Sequence, residues 1–260
     1  TVMGRYAVKR IFQGLITIWF IATATFAAMH AVPGDPLSNE KATTEAIRKN
    51  LEARYGLDRP VFPDQYFIFL GNMAKGDFGL SFTQQNRRVN DIILDAFPVS
   101  AQLGVLAIAF AALGGVLLGA FTALKRNRWP DVTVMVAVIL GISVPSFVFA
   151  ALGQLALVNA NDALGFTLLP VAGWGELSHM VMPAVVLGLS TLAFLTRLMR
   201  SSMLEVLTAD YIRTARAKGV SEGGIFWRHA LRNASLPVIT VLGPAIAAIT
   251  TGGFVVELVF

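Results

Sequence analysis

Few residues in this chain are placed to do chemistry. His30, His179 and His229 lie far apart and never recur at the helical spacing of a ligand pair. There is no cysteine, which removes disulfides, thiolate metal sites and cysteine nucleophiles. A phosphate-cradling loop needs a Gly-Lys-Ser/Thr run, and no Gly-Lys dipeptide occurs. Triad and paired-carboxylate spacings fail as well. The pattern therefore excludes a catalytic centre, a metal site or a cofactor held by this chain, and the chain reads as a non-enzyme.

The residues that do cluster are basic. In the stretch 201–237, Arg213, Arg216 and Lys218 gather just before Gly219. Cations favour the C-terminal end of a helix, and a glycine there stops it. The spacing predicts a helix that begins near Asp210 and Tyr211 and ends at Gly219. A turn and a second helix follow. Ala215 and Ala217 are small enough for another surface to approach closely. From the residues alone, this segment either docks a partner or serves only to fix topology and pair with anionic head groups.

What positions it is a set of apolar runs. Crossing a ~30 Å hydrocarbon core takes about 20 apolar residues in a helix. Five runs qualify: Ile11–Met29, Pro98–Leu124, Val132–Val158, Met180–Thr196 and Ala234–Val256, none with an ionisable residue. Hydrophobic residues make up 55% of the 260 and charged ones 14%, against about 25% charged in an average soluble domain. The fold class is therefore all-α: a polytopic helical bundle in a membrane. The first run, preceded by Arg5, Lys9 and Arg10, has features of a secretory signal, but 19 apolar residues exceed the usual signal core.

The charges are one-sided. The N-terminus, the loop holding Lys125, Arg126 and Arg128, and the segment between the last two runs carry 13 of 21 basic residues and 4 of 16 acids. Strict alternation puts these three on one side, which the positive-inside rule makes cytoplasmic. Residues 1–29 then form a cytoplasmic N-terminus and first span, residues 30–97 an external subdomain, and residues 98–260 the core with its basic loop at 200–233. In the external part, Pro33-Gly34-Asp35-Pro36 reads as a turn, 39–55 as a polar helix and 64–75 as an amphipathic one.

Spans free of ionisable groups lack the usual equipment of proton- or sodium-coupled carriers. Energy for uphill transport would then come from another polypeptide. Proline inside a span frees a carbonyl that needs a neighbour or a wet cavity. Ser143, Pro145 and Ser146, together with Gln154, are thus candidates to line a passage, and Pro244 marks a second bend. The small-residue runs Ala109–Gly115 and Ala245–Gly253 suit close helix packing.

The stretch Asp210-Tyr211-Ile212-Arg213-Thr214-Ala215-Arg216-Ala217-Lys218-Gly219, followed by His229-Ala230-Leu231-Arg232-Asn233 and Leu236-Pro237, resembles the ATPase-docking loop of ABC importer permeases. More narrowly it is similar to the peptide/nickel branch, closest to its oligopeptide B-type subunits. Also similar are Pro33-Gly34-Asp35-Pro36, Gly76-Asp77-Phe78-Gly79 and Phe97-Pro98-Val99-Ser100-Ala101. Arg213-Thr214-Ala215 replaces the general Glu-Ala-Ala, and the spacing from Gly219 to Leu236-Pro237 is longer; both suit the peptide branch.

The resemblance implies a type I importer transmembrane domain with a sixth span after Phe260. It implies a second homologous permease, two cytoplasmic ATPases that bind ATP and magnesium, an external solute-binding protein, a peptide substrate and the bacterial cytoplasmic membrane as location, with no nucleic acid. Ala215 and Gly219 would sit at the tightest ATPase contact, with Arg213, Arg216 and Lys218 at its rim. Two other readings stay open: a sister importer for dipeptides, glutathione or nickel, and a self-sufficient channel or carrier.

Overall fold

The computed structural model describes residues 2–31, 58–79, 81, 84, 87–252, 256, 259 and 260. The expected turn at Pro33–Pro36 and polar helix 39–55 lie outside these. Among the described residues the regular structure is helical, without a β-strand. Five helical stretches are long and apolar enough to cross a membrane.

The chain divides into two compact units, Thr1–Ala96 and Phe97–Phe260. The first holds α1 (Val2–Ala31) and α2 (Tyr66–Ala74), which follows a wide turn at Val61–Gln65. Only Ala22 is buried among the α1 residues whose exposure is described. The rest of that helix presents large apolar side chains outward, as a lipid-facing helix must. Near its end, α1 is held to α2: Thr23 and Tyr66 share a hydroxyl hydrogen bond of 2.8 Å, and the Phe26 ring lies 5.4 Å from those of Tyr66 and Phe69.

Helix α2 ends in a glycine cap. Gly76 takes φ +74°, the Gly76 N–H donates to Met73 O, and the Asp77 N–H donates to Asn72 O. This pair of bonds satisfies the last carbonyls of the helix, and only glycine adopts that φ without cost. The Gly76–Gly79 turn that follows is clamped from within. The Asn90 side chain accepts from the Phe78 N–H at 2.9 Å and donates to Gly76 O, while Asp77 accepts from the Gly79 N–H at 3.0 Å.

The second unit contains the remainder of α3 (Val89–Leu124), then α4 (Trp129–Ser143), α5 (Ser146–Leu164), α6 (Leu177–Thr208), α7 (Asp210–Ala217) and α8 (Leu231–Gly252). Its centre is the contact of α3 with α6. Ala107, Ala111, Gly115, Gly119 and Ala123 recur every fourth residue on one buried stripe of α3. A Cβ on Gly119 would stand 2.6 Å from Thr196 O and from Met199 Cβ, and one on Gly115 2.7 Å from Leu195 Cβ. Backbones packed this closely need small residues, because lipid tails are as apolar as leucine and contact area has to hold the helices together. The run Ala109–Gly115 therefore does pack as its composition suggests.

One expected span is in fact two helices. The run Val132–Val158 is broken between Ser143 and Ser146, where Val144 (φ −89°, ψ 128°) and Pro145 (φ −59°, ψ 143°) are extended. Proline has no N–H and pushes the residue before it out of the helical region. The carbonyl that Pro145 cannot engage is Gly141 O, and the Ser190 hydroxyl of α6 donates to it at 3.2 Å.

Candidate functional site

Between α6 and α8 the chain forms a hook. Helix α6 stops at Thr208 because Ala209 is extended (φ −68°, ψ 149°), and α7 starts at once. Asp210 sits in the first turn of α7, where the helix dipole favours an acid, and it pairs with Arg213 at 3.4 Å in the open. Ile212 is the one large aliphatic residue of the octet; it is fully buried and seats the helix.

The far end of α7 closes on Gly219. The Gly219 N–H donates to Arg216 O at 2.9 Å and the Val220 N–H to Ala215 O at 3.1 Å, with Gly219 at φ +80°. This is the glycine-capped ending expected from the sequence, with the same bond pattern as at Gly76. As at Gly76, a Cβ on Gly219 would meet nothing within 4 Å among the described residues, so the turn lies open. Ser221 then opens the next helical turn by accepting the Gly224 N–H at 3.3 Å. Glu222 accepts both arms of Arg216, at 2.7 and 3.2 Å, and so staples the two sides of the turn.

The return leg runs through Glu222–Gly224 and a π-helical turn, Ile225–Ala230, into α8. Ile225 and Ala230 are buried, whereas Trp227 is exposed, edge-on to Phe226 at 4.9 Å. The amide of Asn233 donates to the Tyr211 hydroxyl at 3.0 Å, which ties the base of α8 to α7. Under the hook, Met199 and Met203 of α6 pack with Ala120 and Ala123 of α3 and with Ala230, Ala234 and Val238. The hook is thus seated on three helices of the second unit.

Of the residues singled out in the sequence, Asp210, Tyr211, Arg213, Thr214, Arg216, Ala217, Lys218 and Gly219 face outward, and Ala215 is half-buried. Ile212, Ala230 and Asn233 stood within the resembling stretches without a role of their own, and the seat Ile225 and the staple Glu222 were not singled out. A single large aliphatic residue within the octet could have pointed to Ile212. The passage candidates lie on other elements, α4 and α5. Ser143 and Pro145 are exposed and Ser146 is half-buried. The Gln154 amide donates to Val259 O at 2.8 Å and to Val171 O at 3.4 Å, so it is engaged by backbone.

A second constellation was not foreseen. Arg200 of α6 makes a two-armed ion pair with Asp131 at the start of α4, with both contacts at 2.7 Å. Asp131 also accepts the Asn127 N–H at 2.9 Å. Its side chain is 3% exposed and that of Arg200 23%. Among the described residues, no group of three or more His, Asp or Glu could hold a metal ion.

Residues 115–260 match the family described as the binding-protein-dependent transport system inner membrane component, and residues 3–104 match the N-terminal membrane component of such systems. The chain belongs to this family. Relatives among these inner membrane components include the dipeptide transport system permease protein DppB of Bacillus subtilis (strain 168), 45% identical over 99% of this chain and 82% of the relative. The oligopeptide transport system permease protein OppB of Haemophilus influenzae is 44% identical over 99% of this chain and 83% of its own length. DppB of Lactococcus lactis subsp. cremoris is 41% identical over the same shares. The chain is accordingly a multi-pass permease subunit of a binding-protein-dependent transport system, built as an all-α type I transmembrane domain.

Proposed function

We propose that this permease serves an ATP-driven importer of short peptides and that the hook Asp210–Ala230 is the seat of a partner ATPase. The observation that carries this is the two-sidedness of the hook. Its inner side is buried at Ile212, Ile225 and Ala230, and Ala230 packs in one cluster with residues of α3, α6 and α8. Its outer side offers the uncovered Gly219 turn between Arg213, Arg216 and Lys218. A surface of this kind receives a push from outside and passes it inward. The partners in this reading are a second homologous permease, two ATPases that bind ATP and magnesium, and an external binding protein that delivers substrate. The basic segments, and with them the N-terminus, face the cytoplasm; the part from residue 30 to 97 faces outward. Ser143, Pro145 and Ser146 remain the proposed passage-lining positions.

The relatives' names support peptides as cargo, with oligopeptides and dipeptides both represented. Competition of labelled dipeptide uptake by tetrapeptides separates the two: strong competition marks an oligopeptide system. The hook is tested with Gly219→Val, which forces a β-branched residue to φ +80°. Membrane levels should stay normal while the ATPase no longer co-purifies and peptide uptake is lost. Normal uptake in that variant would remove the docking role, and a wild-type chain that transports without any ATPase would show a self-sufficient carrier.

A further inference from the structure

The pair Asp131–Arg200 and the contact Ser190–Gly141 belong to one construction. Asp131 and Gly141 are ten residues apart on α4, and Arg200 and Ser190 are ten apart on α6, in opposite order. The two helices therefore run antiparallel in register and are fastened at two levels about 15 Å apart along their axes. At the level of Gly141 they touch closely, since a Cβ there would lie 3.3 Å from Ala193 Cβ. Just past Gly141 the helix ends, and Val144 and Pro145 lead in extended conformation into α5. At its other end, α6 runs from Arg200 past the buried Met203 directly into the hook at Asp210.

We infer that Asp131 and Arg200 are positioning residues that make α4 and α6 a single rigid strut, with Val144–Pro145 as the joint about which α5 swings. The inference rests on the importer reading, because the ATPase at the hook supplies the push. A carboxylate this deeply covered, held by a planar guanidinium fork, resists shear in a way a single hydroxyl contact cannot. Motion entering through α6 thus reaches the whole of α4, whereas α5 meets α6 through apolar contacts, at Ala150 with Val186 and at Gly153 with Met182, with no hydrogen bond or ion pair between the two helices among the described residues. Gly141 O stays bonded to Ser190 instead of to the chain beyond it, so the joint can open without a bond within α4 being broken.

The test uses the assembled transporter, with its ATPases, in lipid nanodiscs. The chain has no cysteine, so it is labelled with nitroxides by itself, at cysteines introduced at the exposed positions Val136 (α4), Phe194 (α6) and Leu155 (α5), and joined by its partners afterwards. On adding ATP and vanadate, the Val136–Phe194 distance should stay fixed while Val136–Leu155 shifts. In Asp131→Asn the first distance distribution should broaden. Peptide carried per ATP hydrolysed should fall about two- to thirtyfold, the range expected for a residue that couples two sites, with the ATPase rate retained. Arg200→Lys, which keeps the charge but loses the fork, should fall between the two and covers the case in which Asp131→Asn fails to assemble. The inference is overturned if both distances move alike, if neither moves, or if the transport ratio is unchanged in both variants. An ATPase missing from the purified complex overturns the importer reading and the strut together, whereas an ATPase present with the wrong distances overturns the strut alone.

Discussion

Among the described residues, two arginines hold a carboxylate with both arms, and the two pairs live in opposite surroundings. Arg200 grips Asp131 inside the bundle, where the acid is 3% exposed; Arg216 grips Glu222 on the rim of the hook, where the acid is 72% exposed. The shortest contact is 2.7 Å in each. The chemistry is the same and the consequence differs. In the interior, neither charge can be abandoned without leaving its partner stranded in a poor solvent. On the rim, water replaces whichever partner is lost, and salt screens what remains. One pair fixes the architecture, while the other shapes a turn and stays free to exchange its partner.

The sharpest way to break this contrast is Asp131→Ala. It should cost about 3 kcal/mol, the low end for a buried pair because Arg200 keeps some exposure. It would be read as a lower thermal midpoint of the purified protein in detergent. Adding Arg200→Met to that variant should recover much of the loss, since the stranded charge is gone. A midpoint no lower than that of the rim variants would show that the interior pair is solvated after all. Next in size is Ile212→Ala, which empties the seat of α7 and should cost about 2 kcal/mol or more. Its signature should be local: faster proteolysis within 209–224, with the bundle intact. Protection of that segment equal to wild type would mean that the hook is held by its polar staples instead.

Gly219→Ala should weaken the hook by about 1 kcal/mol through backbone strain alone, because open space surrounds the position. Hydrogen exchange at Val220 would report it. The smallest effect is expected for Glu222→Gln, with a midpoint indistinguishable from wild type at high salt. Were that variant to abolish ATPase association, the carboxylate would have a role in docking beyond stapling the turn.

These pairs also show where sequence reading reaches its limit. The end of α7 was legible because its cause is local: a glycine after Arg216, Ala217 and Lys218, with every cap bond made inside six residues. The five apolar stretches were legible because lipid imposes composition residue by residue. The break in the third run was only half legible. Pro145 announces it, but whether a proline bends a helix or ends it depends on who satisfies the freed carbonyl, and that is Ser190, 49 positions away. The Asp131–Arg200 pair, 69 positions apart, left no trace at all. Each residue reads singly as one more charge at the mouth of a span. Ala109–Gly115 reads as a small-residue run, but that the stripe from Ala107 to Ala123 faces α6 from Gly188 to Arg200 is a property of the assembled bundle.

The matched ten-residue intervals on α4 and α6 have a mechanical corollary. If α6 slid along α4, Arg200 would leave Asp131 at the same moment that Ser190 left Gly141, because both fastenings lie on one ruler. Any displacement along the axis therefore strains both fastenings together. The next arrangement that faces the same sides together lies a full turn away, about 5.4 Å. The interface therefore behaves as a detent: it tolerates no creep, and it can either hold or jump.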